Sequence, residues 1–438
     1  MNPILTVARK ELRGIFGSAV AVIFLGVFLV VTLFCFFSYE GFFARNLADV
    51  RPLFEWLPIL LIFLVSAVTM RQWAEEKRMG TLEVLLTLPL KTTDLVLGKF
   101  AAGLVLVGIA LMLTLPLPVT VSRIGDLDWG PVVGGYVAAL LLASTYLAIG
   151  LCVSARTDNQ VVSLMVTLVI GGLLYLVGTD RVTAWFSQDV ADVLRAIGSG
   201  SRFESIERGV LDLRDLVYYV SIAGFFLALN VYFLEAQRLD PDSASGSTKN
   251  AAMVSALGLL ALNVAFANTW LAPLSRLRVD LTERGEYTLS EVTKNTLKEL
   301  DEPLVITGYF SERTHKYLAP LIPQLEDFLE EYAVHGKGKV TVAFQDPLKD
   351  KAVEQEINEQ FGIKSVAFPV EDQNEQAIVN AYFDVLVKYG DKHEVLTYAD
   401  LIEINQGQDG LEIKLRNPEY DVTRTIRKVT QEFLSLEA

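Results

Sequence analysis

Apolar side chains run almost unbroken through seven stretches of the first 271 residues, at about 18–39, 53–70, 96–121, 131–153, 160–178, 216–234 and 251–271. Each approaches the ~20 apolar residues that a helix needs to cross ~30 Å of hydrocarbon, so seven transmembrane helices are expected. The second is short and begins among Glu55 and Trp56, and the seventh contains Asn263 and Asn268. Beyond residue 271 the pattern changes. Strand-like runs at 303–310, 339–347, 365–370, 377–389 and 393–398 are interleaved with helical runs at 320–336, 349–361 and 419–435. In the first of these helices Leu325, Phe328, Leu329 and Tyr332 share one face. Such interleaving predicts a soluble α/β layer domain, and about 165 residues suffice for one core. The expected fold class is an α-helical membrane protein with six core spans plus one extra, followed by this α/β domain.

Charge divides the chain at the same place. Residues 1–240 hold 18 Lys+Arg against 20 Asp+Glu, whereas residues 241–438 hold 20 against 32. An acidic second half without clustered Lys and Arg excludes nucleic acid as a partner. Cys35 and Cys152 both lie in apolar runs and suggest no disulfide framework, and His315, His335 and His393 lack metal-ligand spacing. The spans carry almost no charge, which argues against a proton relay or an ion-coupled carrier.

Lys and Arg in the short loops set the orientation. With the N-terminus inside, the inner segments carry ten of them, among them Arg9, Lys10, Arg71, Lys77 and Arg78, and the short outer loops only Arg45, Arg51 and Arg123. The long loop 179–215 goes against this bias, with five arginines on the outer side. The N-terminus is therefore expected in the cytoplasm and, after seven spans, the α/β domain outside it. Residues 241–250, within the polar run "RLDPDSASGSTKN", read as a linker. The run 251–271 that follows ends in Ala265, Phe266 and Ala267 and admits two readings, an uncleaved span or a cleaved signal sequence; its 21 residues favour a span.

One charged segment interrupts the apolar half. In "AEEKRMGTLEVLLTLPLKTTDLVLGKF", residues 74–100, helical spacing puts Met79, Leu82, Leu85, Leu86 and Pro89 near one stripe, with Glu75, Glu76, Lys77 and Arg78 at the N-terminal end. Acids and bases mix here, unlike the basic face of a membrane-surface helix. The segment reads either as a solvated connector or as an amphipathic helix, about 74–90, set between the membrane body and a protein partner.

The string from Glu75 to Pro89, continuing to Leu97-Gly98-Lys99-Phe100, resembles the signature of type-2 ABC exporter permeases, and within them the gliding-motility-associated (GldF-like) family. The resemblance covers residues 1–240. It implies a cytoplasmic coupling helix that docks on an ATPase subunit, with Glu75, Glu76, Lys77, Arg78, Gly80, Thr81 and Glu83 as coupling residues. Residues 278–311 are similar to the opening of the GldG-like auxiliary protein of the same systems, through Arg278, Asp280, Leu281, Thr282, Tyr287, Thr288, Leu289, Ser290, Tyr309, Phe310 and Ser311. That family has a longer outer domain and a returning span, so the chain is expected to be a truncated or split version. The implied division is 1–240 permease, 241–250 linker, 251–271 seventh span and 272–438 extracytoplasmic auxiliary domain.

Chemistry is sparse. No Gly-x-x-x-x-Gly-Lys-Ser/Thr occurs, and "HGKGKV" at 335–340 has the wrong spacing, so ATP and Mg are expected on a separate P-loop ATPase and no cofactor on this chain. No Gly-x-Ser-x-Gly elbow is present, Glu371, Asp372 and Glu375 read as a solvated acidic loop, and Asp346 before Pro347 reads as a turn. Family logic implies a homodimer with two ATPases in a bacterial inner membrane. The expected function is export of a lipid-linked or polysaccharide substrate, with an outer-face protein or glycan as a further partner. The alternative is mechanotransmission, in which ATP moves the outer domains without a substrate crossing.

Overall fold

The structure is a computed structural model that describes the chain except residues 1, 18, 40, 41, 43–49, 126, 184, 186, 187, 239–243, 272–277, 283–287, 312, 313, 315–317, 319, 320, 337, 350, 372–375, 408, 409 and 438. The chain forms two compact units, Met1–Glu283 and Arg284–Ala438.

The first unit is helical. An amphipathic helix α1 (Pro3–Phe16) is capped by Asn2, whose Oδ1 accepts the Ile4 N–H at 3.1 Å. There follow α2 (Ala19–Phe34, extended by a π turn to Tyr39), α3 (Arg51–Thr69), two short helices α4 (Ala74–Arg78) and α5 (Thr81–Thr87), then α6 (Thr92–Met112) and α7 (Pro116–Ile124). After these come α8 (Trp129–Ser154), α9 (Gln160–Val177), short helices α10 (Asp180–Thr183), α11 (Gln188–Ile197) and α12 (Gly200–Glu207), strand β1 (Val210–Asp212), α13 (Leu213–Ala236), α14 (Ala244–Leu271) and strand β2 (Arg278–Asp280). Among the described residues, seven helices are long and apolar enough to cross a membrane, matching the seven stretches in the sequence. Pro116 and Pro118 end the third one early, because proline cannot donate to the preceding turn, and α7 continues as a separate helix.

Two expectations change. Residues 244–250 of the expected linker are the first turns of α14, since a long apolar helix, once nucleated, propagates cheaply into Ser and Thr. Loop 179–215 folds as α10–α12 and β1, and two of its arginines are neutralised: Arg202 pairs with Asp215 at 2.7 Å and Arg214 with Asp212. In α14, Asn263 and Asn268 satisfy their amides within the helix by donating to Leu259 O and Val264 O, both at 2.8 Å. Asn268 also donates to Ser221 of α13 at 3.1 Å.

At one end of the helical bundle the chain closes on itself after the seventh span. Strand β2 pairs antiparallel with β1 in the register Val210 to Asp280, Leu211 to Val279 and Asp212 to Arg278. Leu281 N–H donates to Gly209 O at 2.9 Å. Gly130, the second residue of α8, meets Leu281 so closely that a Cβ would lie 2.4 Å from its carbonyl oxygen.

The second unit is the expected α/β layer. It contains α15 (Glu291–Lys298), β3 (Leu304–Phe310), α16 (Leu321–His335), β4 (Val340–Gln345), α17 (Lys351–Phe361), β5 (Val366–Glu371), β6 (Gln376–Ala381), β7 (Phe383–Tyr389), β8 (Lys392–Leu396), α18 (Tyr398–Leu401), β9 (Ile402–Gly407), β10 (Gly410–Leu415) and α19 (Pro418–Glu437). The main sheet has the order β4-β3-β7-β8, with β3 parallel to β4 and antiparallel to β7. The expected strand 377–389 is two strands, because β6 pairs with β5 whereas β7 joins the main sheet, and Tyr382 between them donates its N–H to Ser311 Oγ at 2.8 Å. Helices α16 and α19 cover one face around Ile306, Leu325, Leu329, Val385, Val387 and Ile426. Tyr309, Ile357, Tyr382 and Leu386 form a smaller core on the other. Asp346 Oδ1 accepts the Leu348 N–H at 3.0 Å, the turn its sequence suggested. Asp372 and Glu375 of the acidic loop lie outside the described residues.

Asp384 of β7 is 5% exposed. Burial, aided by the nearby Asp400 charge, pushes its carboxyl up to about 6 from 3.8. A carboxyl raised on folding is better tolerated protonated, so its cost grows as pH rises from about 4 through 6. Relative to wild type, Asp384→Asn is expected to stabilise the second unit progressively over that window, by up to ~3 kcal/mol at pH 7. Hydrogen exchange of the β7 amides in the full chain, measured at pH 5 and 7.5, reads the difference; an equal effect at both values would refute it.

Candidate functional site

The segment singled out in the sequence forms an elbow at the end of the bundle opposite β1 and β2. Residues 74–90 are not the single helix expected. Gly80 has φ +70°, a left-handed conformation that glycine adopts without steric cost, and it breaks the run into α4 and α5.

The first arm is locked to the bundle. Ser154, the last residue of α8, accepts the N–H groups of Trp73 and Ala74 on its Oγ at 3.1 and 3.2 Å. It thereby caps α4 from another helix, filling two positions that a helix start leaves without partners. Lys77 Nζ donates to Ala155 O at 2.7 Å. Arg71 and Glu75 form a two-pronged pair at 2.9 and 3.1 Å across one turn.

Beneath the elbow is a buried ion cluster. Lys99 of α6 is only 2% exposed. Its Nζ lies 3.1 Å from Glu11 Oε1, 3.0 Å from Glu76 Oε1 and 4.7 Å above the Trp73 ring. Lys10 completes the set, 3.1 Å from Glu11 and 3.7 Å from Glu76. Two cations and two anions thus tie α1, α4 and α6 together without net charge. The second arm is held by apolar contact: Leu82 and Leu86 of α5 pack with Val7, Trp73, Leu95, Leu151 and Leu234.

The outer face of the elbow is open. Met79, Val84 and Leu88 are 67%, 63% and 42% exposed, and Arg78, Gly80, Thr81 and Glu83 are exposed beside them. The seven predicted residues therefore divide. Glu75, Glu76 and Lys77 bond within the chain through their charged groups, whereas Arg78, Gly80, Thr81 and Glu83 are exposed, Thr81 also donating its hydroxyl to Glu76 O at 3.2 Å. The expected apolar stripe divides too, with Leu82 and Leu86 inward and Met79 outward. Lys10, Glu11, Lys99 and Ser154 were missed in the sequence; the signal for the first two was the helical spacing of Ile4, Val7, Ala8, Leu12 and Ile15. Among the described residues, no three His, Cys, Asp or Glu side chains converge to hold a metal.

Residues 5–271, more than half of the sequence, match the family described as ABC-2 family transporter protein. The chain belongs to the ABC-2 transporter family. This family supplies the membrane component of ABC transporters, with the ATPase on a separate subunit. Residues 283–388 of this ABC-2 protein match a domain of unknown function (DUF7088). An uncharacterized protein of Borreliella burgdorferi (strain ATCC 35210 / DSM 4680 / CIP 102532 / B31) is 28% identical over 127 residues, covering 27% of this chain and 23% of that protein's length.

Removing Lys99 leaves Glu11 and Glu76 with only the exposed Lys10 as a shared cation, and breaking a buried pair costs ~3–5 kcal/mol. Lys99→Met is therefore expected to raise hydrogen exchange across 71–87 at least tenfold in detergent. Arg78→Ala and Glu83→Ala, both outward, are expected to leave it within twofold. Equal protection in Lys99→Met and wild type would show that the cluster does not hold the elbow.

Proposed function

We propose that this chain is the permease subunit of an ATP-driven ABC exporter and that its elbow, residues 74–90, couples a separate P-loop ATPase to the spans. The observation that carries the reading is the division of the elbow into a locked face and an open one. Three exposed apolar side chains rimmed by charge suit a protein interface better than water. The opposite face is joined by buried contacts to α1, α6 and α8, so a force on the open face reaches three helices.

The rest of the proposal follows the family logic. Residues 1–240 form the permease core, two copies pair with two ATPases, and ATP and Mg bind on the ATPases. The elbow lies in the cytoplasm of a bacterium, the spans cross its inner membrane, and residues 272–438 lie outside it as an auxiliary domain of the gliding-associated kind. Helices with few intramembrane charges suit a lipid-linked or polysaccharide cargo.

Reversing Glu75 and Glu76 would break internal pairs as well as any docking, so the discriminating variants lie on the open face. Met79→Asp with Val84→Asp is expected to lower co-purification of the ATPase at least tenfold, with hydrogen exchange over 71–78 unchanged. Wild-type recovery of the ATPase by this variant would move the docking site elsewhere.

The β1–β2 pairing favours mechanotransmission as a second reading, because it fixes the chain that leaves the seventh span to the end of the permease. Val279 has an exposed side chain, so Val279→Pro perturbs chiefly the backbone ladder. Under this reading the substitution abolishes nucleotide-dependent movement of a fluorophore on the second unit while ATP hydrolysis continues, and Val279→Ala does neither. Movement that survives Val279→Pro argues for transport alone.

A further inference from the structure

The second unit carries a surface groove that neither the family matches nor the elbow explains. It lies between the start of α15 and the outer face of α19, encloses about 790 Å³, and is lined by Val292, Thr293, Tyr420, Arg424, Arg427 and Lys428, among others. The wall formed by α19 lies beyond the residues matched to a known domain.

Its charge runs against its surroundings. Residues 284–438 hold 17 Lys+Arg against 29 Asp+Glu, yet residues 422–431 contain Arg424, Arg427 and Lys428 and no acid. These three occupy positions i, i+3 and i+4, one face of the helix, and all are exposed. Arg427 Nε donates to Thr296 Oγ1 at 3.1 Å, which holds its guanidinium against α15. Lys428 is drawn to Glu394 at 2.6 Å, while Asp421 is set among the charges of Arg416, Asp400 and Arg424.

The groove also has a built floor. Thr293 Oγ1 donates to Glu419 Oε1 at 2.6 Å and lies 3.0 Å from Thr423 Oγ1, which in turn lies 2.9 Å from Tyr332 Oη. Ser290 N–H donates to the same Glu419 carboxylate at 2.7 Å. Burial alone would raise Glu419, but these hydrogen bonds hold it below the usual carboxylate range. Its negative charge is thus engaged at the end of the groove, away from the cations further along the helix. Tyr420 and Val292, 61% and 57% exposed, supply apolar contact at that same end.

We propose that this groove binds an acidic, extended peptide segment of a partner protein. From Tyr420 to Gln431 the helix wall runs roughly 16 Å at 1.5 Å per residue, longer than one phosphate and matched to several residues of extended chain. Apolar side chains at one end and cations at the other ask for an apolar or aromatic residue followed by acids. A concave, hydroxyl-floored groove fits such a chain better than the flat surface of a bilayer. The proposal does not depend on which side of the membrane the unit occupies.

The test uses the full chain in nanodiscs of zwitterionic lipid and a fluorescein-labelled peptide of one tryptophan followed by eight glutamates. Anisotropy is expected to report binding that weakens with salt and falls at least tenfold in Arg424→Glu/Arg427→Glu. Lys349→Glu/Lys351→Glu, which changes net charge equally but lies off the groove, is expected to stay within twofold of wild type. Tyr420→Ser is expected to weaken binding severalfold, and circular dichroism checks that each variant is folded. Absence of binding, an equal loss in both reversal pairs, or equal binding of the matching lysine peptide overturns the proposal. So does tighter, Arg424-dependent binding of phosphatidylglycerol vesicles, which would assign the groove to anionic lipid instead.

Discussion

A lysine ammonium buried within α6 is the constraint on which the elbow depends. Two carboxylates meet Lys99 there, and these, Glu11 and Glu76, lie on different elements. The same ion pair on a surface would contribute about 0–1 kcal/mol, but breaking it when buried costs several. Such a cluster tolerates one arrangement of its parts and penalises others. It therefore fixes the relation of α1, α4 and α6, and with it the direction in which Met79, Val84 and Leu88 project. The exposed row is an interface candidate because its back is rigid.

How legible this was from the sequence depends on the range of each interaction. The seven spans were plain because hydrocarbon imposes a length and a composition on every helix separately, although the ends of some helices lie up to nine residues from the expected ones. The alternation of β3, α16, β4 and α17 was plain for a similar local reason. The elbow was legible as an amphipathic, charged segment but not as a divided one. Glu76 and Glu83 look alike in the string, and what separates them is Lys99, 23 positions away from Glu76. Ser154, which caps α4, is 81 positions from Trp73. No local pattern records such partners. Helix α1 escaped notice for another reason: its apolar positions are separated by Arg9, Lys10, Glu11 and Arg13, which read as orientation signals before they read as a helix. The π turn, α15 and the hairpin β9–β10 were likewise too short or too irregular to stand out.

The two ends of the first unit are fastened by different chemistry, and one helix touches both. At the elbow end, side chains form the lock, with Ser154 at the last position of α8. At the far end the backbone does so, with β2 laddered to β1 and Leu281 seated against Gly130 at the second position of α8. A 26-residue helix spans roughly 39 Å at 1.5 Å per residue, so α8 is long enough to carry both anchors without a joint. It is also the most buried of the spans, which limits bending. Trp73 at one end and the strand pair at the other are thus anchored to one continuous helix. Both proposed readings, transport and mechanotransmission, would work through this one helix, and they differ only in what its far end would move.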